Sequence, residues 1–192
     1  MIVIGVDEAG RGPLVGSVVA GAVAFPSGFK LEGLTDSKKL SEKKREELYD
    51  VITHECFWTS AQCDSREIDQ INILEATMLS MKRAVDQLQT QLKNKEEFFS
   101  VLVDGNRCPD IKNCQAIIKG DLTEPTISAA SVIAKVTRDR QMIELDQIYP
   151  EYGFSRHKGY GTKEHLEALS KYGPIDRQHR LTFAPIKNLI RA

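Results

Sequence analysis

A run of apolar residues, Met1 to Val6, meets two adjacent carboxylates, Asp7 and Glu8, and a Gly10-Arg11-Gly12-Pro13 turn follows at once. The run reads as a strand of the buried type. Neighbouring residues on a strand point to opposite faces, so Asp7 and Glu8 cannot both line one flat site while the strand continues. The strand is therefore expected to end here, with the turn re-aiming one carboxylate. Paired carboxylates beside a glycine-bracketed arginine suit a divalent cation and a phosphodiester.

Two further strands are expected to end in acid. Phe98–Val103 leads into Asp104-Gly105-Asn106, and Gln115–Lys119 leads through Gly120 into Asp121. With Ser17–Phe25 and His54–Ala61 these make five strands. A charged helix is expected from about Ser41 to Ile52, with Ser41 as its N-cap. Ile71, Leu74, Met78, Met81, Val85 and Leu88 recur at steps of three and four, which predicts a helix with one apolar stripe. A long helix after Pro125, from about Thr126 to Gln147, precedes loops bearing Gly, Tyr and His. A helix near Lys163–Lys171 and a short one after Pro185 close the chain. Hairpin-like strands followed by strand–helix alternation imply a mixed sheet with helices on its faces.

The 192 residues suit one domain, 1–192, with a helical C-terminal segment from about residue 163. A net charge of −1 argues against a broadly basic nucleic-acid coat. Residues 1–106 hold 12 Lys/Arg and 17 Asp/Glu, whereas residues 107–192 hold 14 and 10. The split fits metal carboxylates in the first half and a phosphate-tracking surface in the second, although random surface charge explains it equally well. Cys56, Cys63, Cys108 and Cys114 lack zinc-site spacing and read as reduced thiols. No leader or membrane-length apolar stretch is seen, so a cytoplasmic protein without membrane contact is expected.

Carboxylates gathered at strand ends repel one another, and a divalent cation between them relieves that repulsion. Hard oxygen ligands select Mg²⁺ or Mn²⁺ over zinc. Gly10, Gly12 and Gly16 miss the dinucleotide-binding spacing, and a strand follows them instead of a helix, which removes that reading. On the long helix, Ser128, Ser131, Lys135 and Arg138 share one face, suited either to phosphate or to solvent with a Lys135–Asp139 pair. Tyr160, between two glycines in His157-Lys158-Gly159-Tyr160-Gly161-Thr162, is free to stack on a sugar or base, or is an ordinary turn residue.

Taken in order, GVDEAGRGPLVG, DSKKL, IN-ILEAT, VDGN, KGD, ISAASVIAKVTRD, YPEYGF–HKGYGT and GP-IDRQHRLTFAP resemble ribonuclease HII from residue 2 to about 187. The resemblance implies an α/β, RNase H-like mixed five-stranded sheet flanked by helices, with a small helical C-terminal extension. It implies a four-carboxylate site at Asp7, Glu8, Asp104 and Asp121, which would be both catalytic and metal-binding. Gly10, Arg11, Gly12 and Tyr160 would sense the ribose. Lys38, Asn72, Ser131 and Lys135 are candidate phosphate or backbone contacts. The implied activity is hydrolysis of RNA in RNA–DNA hybrids, with nicking on the 5′ side of a ribonucleotide embedded in duplex DNA. Two divalent ions, Mg²⁺ or Mn²⁺, would serve the reaction: one at Asp7 and Asp104 activating water, one near Glu8 and Asp121 stabilising the departing 3′ oxygen. The catalytic strand beginning at residue 2 disfavours the ribonuclease HIII branch. Departures at Val15, Ser17 and Glu75 lie outside the acid cluster. A monomer is the simplest expectation. The rival readings are an actin-like phosphotransferase, which needs far more chain, and a non-catalytic hybrid-binding module.

Overall fold

A computed structural model describes residues 1–31, 33, 40–92 and 98–191. Five strands form one mixed sheet: β1 (Ile2–Ala9), β2 (Val18–Ala24), β3 (Phe57–Cys63), β4 (Phe99–Asp104) and β5 (Cys114–Ile117), in the order β3-β2-β1-β4-β5. β2 is antiparallel to β1 and β3, whereas β1, β4 and β5 run parallel. The described helices are α1 (Glu42–Glu55), α2 (Ser65–Leu92), α3 (Gly120–Thr123), α4 (Pro125–Ile148), α5 (Phe154–His157), α6 (Lys163–Tyr172) and α7 (Ala184–Arg191); α2 covers one face of the sheet and α4 with α1 the other, while α5, α6 and α7 pack in a separate cluster. None of the described helices is long and apolar enough to cross a membrane.

Alternation along β1 decides the two cores. Ile4 and Val6 face α2, where Met81, Ala84, Val85 and Leu88 are buried with them. Gly5 faces α4, and a β-carbon there would collide with the backbone of Thr126 and Ile127. Gly21, on the neighbouring strand, meets the Ala130 carbonyl in the same way. Two central-strand residues without side chains thus let α4 lie unusually close to the sheet. That approach fixes where the polar face of α4 meets the end of β1.

Several expected boundaries move. β1 does not stop at Val6, because β2 supplies ladder partners as far as Ala9, pairing Asp7 with Gly21 and Glu8 with Ala20. α1 continues to Glu55, its Ser41 cap accepting a hydrogen bond from the Lys44 amide at 3.2 Å, so β3 begins only at Phe57. α2 starts earlier than the stripe suggested and breaks at Asn72, whose φ of 68° and ψ of 165° are not helical. Met81, Val85 and Leu88 are buried as expected, while Ile71 and Leu74, beside the break, are more than one-third exposed.

Cys108 and Cys114 form a disulfide, correcting the expectation of four reduced thiols. The return from β4 to β5 sets Cys114 beside Val101 and brings the two Cα atoms to 6.1 Å, a proximity that spacing alone did not signal. Cys56 and Cys63 are free, with thiols pushed up to about 11 chiefly by burial.

Candidate active site

The last β1–β4 pair joins Val6 to Val103. Beyond it, β1 runs on beside β2 while β4 ends, so a split opens at the carboxyl ends of two parallel strands. Open sheets place ligands at such points. Asp7, Glu8 and Asp104 border this split. Strand alternation starts the two β1 side chains toward opposite faces, yet their carboxyl groups come back within hydrogen-bonding reach of each other at the strand end. Asp7 turns toward α4 and is buried, accepting hydrogen bonds from the Glu8 amide at 2.7 Å and from the Ser131 hydroxyl. Glu8 turns toward α2 and shares a cleft of about 120 Å³ with Leu74, Thr77, Met81 and Asp104.

Asp121 arrives differently from the expected strand end. β5 stops at Ile117, Lys119 takes a left-handed conformation, and Asp121 lies buried in the first turn of α3. Its amide points at Asp104 Oδ1, 3.4 Å away, and its carbonyl accepts from the Ser128 hydroxyl. The hydroxyls of α4 therefore brace the acid residues: Ser131 holds Asp7, and Ser128 holds the main chain of Asp121.

Burial, then the charges of Glu8 and Asp104, raise the Asp7 carboxyl well above its ordinary range. Glu8 is raised mainly by burial, against the pull of Arg11, which stands 3.4 Å away. Among the described residues, no three His, Cys, Asp or Glu side chains stand as a group holding a metal ion. The donor set nevertheless suits one: clustered oxygen donors whose mutual repulsion and desolvation oppose their ionisation are what a hard divalent cation relieves.

Glu8 also lines a second, cation-rich cavity of about 400 Å³, with Gly10, Arg11, Gly12, Arg45, Ser131, Lys135, Arg138 and Tyr160. Gly10 has a φ of 94°, a conformation favouring glycine, and a side chain there would strike Arg138. At Gly12 a β-carbon would come within 3.3 Å of the Tyr160 ring. The glycines thus admit an arginine from below and a tyrosine from above. Tyr160 remains about half exposed.

The other candidates have mixed placements. Lys135 reaches the cavity and forms the expected pair with Asp139 at 2.7 Å, on a face that is largely buried instead of solvated. Asn72 uses its side-chain oxygen to cap the second half of α2, accepting from Leu74 and Glu75 amides at 2.9 and 3.1 Å. Lys38, and the loop holding it, lie outside the described residues. Arg138, expected on the phosphate-suited face of the long helix, is buried against Gly10, while Arg45, His165, His179 and Arg180 surround or support the site without any sequence signal assigning them to it. The QHRLTF segment holding two of them stood within the quoted motifs, but nothing in residue type revealed what it would touch.

The ribonuclease HII family model matches residues 4–186. Ribonuclease HII of Polynucleobacter necessarius is 52% identical over 99% of this chain and 96% of its own length. Among solved structures, ribonuclease H2 of Pyrococcus horikoshii superposes with a TM-score of 0.77 at 28% identity, covering 100% of this chain and 98% of that one. Bst-RNase HIII in complex with Mn²⁺ shares the fold, with a TM-score of 0.80 at 17% identity over 100% of this chain and 70% of that one. From the sheet, its acid-lined split and these likenesses together, the chain belongs to the ribonuclease HII family, metal-dependent hydrolases acting on RNA–DNA hybrids.

Proposed function

We propose that the chain cuts the RNA strand of RNA–DNA hybrids and also nicks duplex DNA on the 5′ side of a single embedded ribonucleotide, leaving 3′-OH and 5′-phosphate ends. One observation carries this reading: Glu8 belongs both to the acid-lined cleft with Asp104 and to the cation-rich cavity with Gly10, Arg11, Gly12 and Tyr160. A phosphodiester lying over Glu8 therefore meets carboxylates on one side and a sugar-sized, donor-rich recess on the other.

Asp7, Glu8, Asp104 and Asp121 would hold two divalent ions, Mg²⁺ or Mn²⁺, which supply an activated water and charge stabilisation for the departing oxygen. The protein's own groups do the rest. Ser131 orients Asp7, and Lys135 with Arg11 faces the phosphate backbone. The tyrosine ring stacks on the sugar, while the loop 10–12 reads the 2′-OH, the group that distinguishes RNA from DNA. Asn72 contacts the strand from the break in α2, and Lys38 is a further backbone contact. The whole chain acts as one catalytic domain, 1–192, with its C-terminal segment from about residue 163 packed into the same unit. We further infer a monomer, the simplest arrangement, and a cytoplasmic location in keeping with the substrate.

The test is an end-labelled DNA duplex bearing one ribonucleotide, incubated with Mg²⁺, Mn²⁺ or chelator. A single nick 5′ of the ribonucleotide, absent with chelator and absent from all-DNA duplex, is expected. Equal cutting of all-DNA duplex overturns the ribose-reading assignment.

A further inference from the structure

Arg180 is fully buried, yet four of its five guanidinium N–H donors meet main-chain carbonyls of one short segment. Nε donates to Gly16 at 3.0 Å; Nη1 donates to Arg11 at 2.9 Å and to Pro13 at 2.7 Å; Nη2 donates to Gly10 at 2.6 Å. The peptide plane then decides what the other side of that segment offers. A trans peptide holds its C=O and N–H antiparallel. With the Gly10 and Arg11 carbonyls turned down onto Arg180, the amides of Arg11 and Gly12 must point away from it, toward the cavity. The Pro13 plane shows the rule at work: its carbonyl meets Arg180, and the Leu14 amide on its opposite edge donates to the Gly159 carbonyl at 2.8 Å.

The adjacent residue ties in the tyrosine. His179 Nδ1 accepts from the Ile175 amide at 2.8 Å, so its Nε2 carries the proton and donates to His165 Nε2, 3.1 Å away. His165 Nδ1 must in turn be the protonated nitrogen, and it donates to the Tyr160 carbonyl at 2.9 Å. Both rings are buried and burial favours their neutral forms, which this single run of donors requires. A backbone bridge between Val15 and His179 locks the dipeptide in place.

We propose that His179-Arg180 is a positioning element for ribose recognition: Arg180 presents the Arg11 and Gly12 amides to the 2′-OH, and His179 sets the Tyr160 loop at the matching height. This deepens the reading of loop 10–12 and Tyr160 given above and rests on it. Lysine at position 180 keeps the charge but concentrates its donors on one nitrogen, and cannot span four carbonyls.

The experiment compares wild type, Arg180→Lys and His179→Gln on a duplex with one ribonucleotide and on the same duplex with deoxyribose throughout, in Mn²⁺. Arg180→Lys is expected to lose at least ~10-fold in the ribo/deoxy selectivity ratio, the discrimination carried by about one well-placed hydrogen bond. The Mn²⁺-induced rise in Tm should be retained, because the carboxylates are untouched. A folded Arg180→Lys protein with unchanged selectivity overturns the proposal. Should the variants fail to fold, amide exchange is followed in Asp104→Asn protein, whose loop is intact. Protection of the Arg11 and Gly12 amides by ribonucleotide-bearing duplex, and not by all-DNA duplex, supports the proposal; equal protection by both overturns it. Failure of the underlying reading is distinguishable, since wild type itself would then show no ribo/deoxy preference.

Discussion

Two buried clusters of charge lie a few residues apart in this molecule and resolve their burial in opposite ways. At the end of β1, Asp7 and Glu8 are driven toward their neutral forms by burial and by Asp104. Beneath the adjoining turn, Arg138 and Arg180 are at least as deeply buried, yet main-chain carbonyls absorb their donors: Lys158 and Val15 for Arg138, and four carbonyls of residues 10–16 for Arg180. Burial and the nearby Arg138 push Arg180 down to about 9, which leaves it charged at neutral pH. The basic cluster is satisfied largely within the protein, with Arg138 Nε left as its one buried donor that lacks a partner among the described residues. The acidic one stays unrelieved until cations arrive, as expected where stability is given up for function. A buried charge satisfied internally supports shape; one left unsatisfied marks where an external partner is to bind.

The largest expected effect separates the two clusters by activity. Asp104→Asn should remove nearly all cleavage, ~100-fold or more, of the order seen when one preorganised electrostatic group is lost. Folding and duplex binding should persist, as checked by melting and gel shift. Near-wild-type turnover would take Asp104 out of the acid cluster. A smaller effect is expected at the contact between the clusters: Tyr160→Ala should slow cleavage at a single embedded ribonucleotide by about 10-fold, in line with the ~1–3 kcal/mol of a lost stacking contact. An unchanged rate would show that the ring does not touch the sugar.

The smallest effect concerns stability, and there the acid site and the histidines behind Arg180 should differ in sign. Asp7 is raised in the folded state, so the native protein binds the extra proton, and stability falls as pH climbs from the ordinary carboxylate value through the folded one. His179 is lowered to about 4, so its contribution is full above the ordinary value of 6.5 and is lost as pH falls toward about 4. In chelator at pH 7, Asp7→Asn should therefore raise Tm by a few degrees, about 2–4 °C per kcal/mol for a chain of this size. In wild type, acidification from pH 6.5 to 4 should lower Tm through His179. A destabilised Asp7→Asn protein would mean that the repulsion is not stored in the fold.

Much of this architecture was legible in the chain. The five strands, the mixed sheet and the buried stripe Met81–Val85–Leu88 followed from periodicity, because tertiary packing agrees with local pattern there. The misreadings share a cause. Local pattern ends β1 at Val6 so that two adjacent carboxylates can share a site; the structure keeps the strand and opens the sheet beside it. The break at Asn72 was invisible because the apolar stripe continues across it. A solvated face for Ser128 and Ser131, one of the two readings their spacing allows, fails because glycines on β1 and β2 let α4 descend until those hydroxyls meet the acids.

Residue order alone determined which chemistry the chain holds: four acids after apolar runs, and an arginine and a tyrosine each held between glycines, because these signals reside in side-chain type and short spacing. Only the folded structure decided how they are aimed. Arg180 acts through carbonyl oxygens roughly 170 positions earlier in the chain, and every residue type carries a carbonyl. A hydrogen bond to a group common to all residues leaves no mark in the sequence, so the orientation of the Gly10–Gly12 turn is settled by packing.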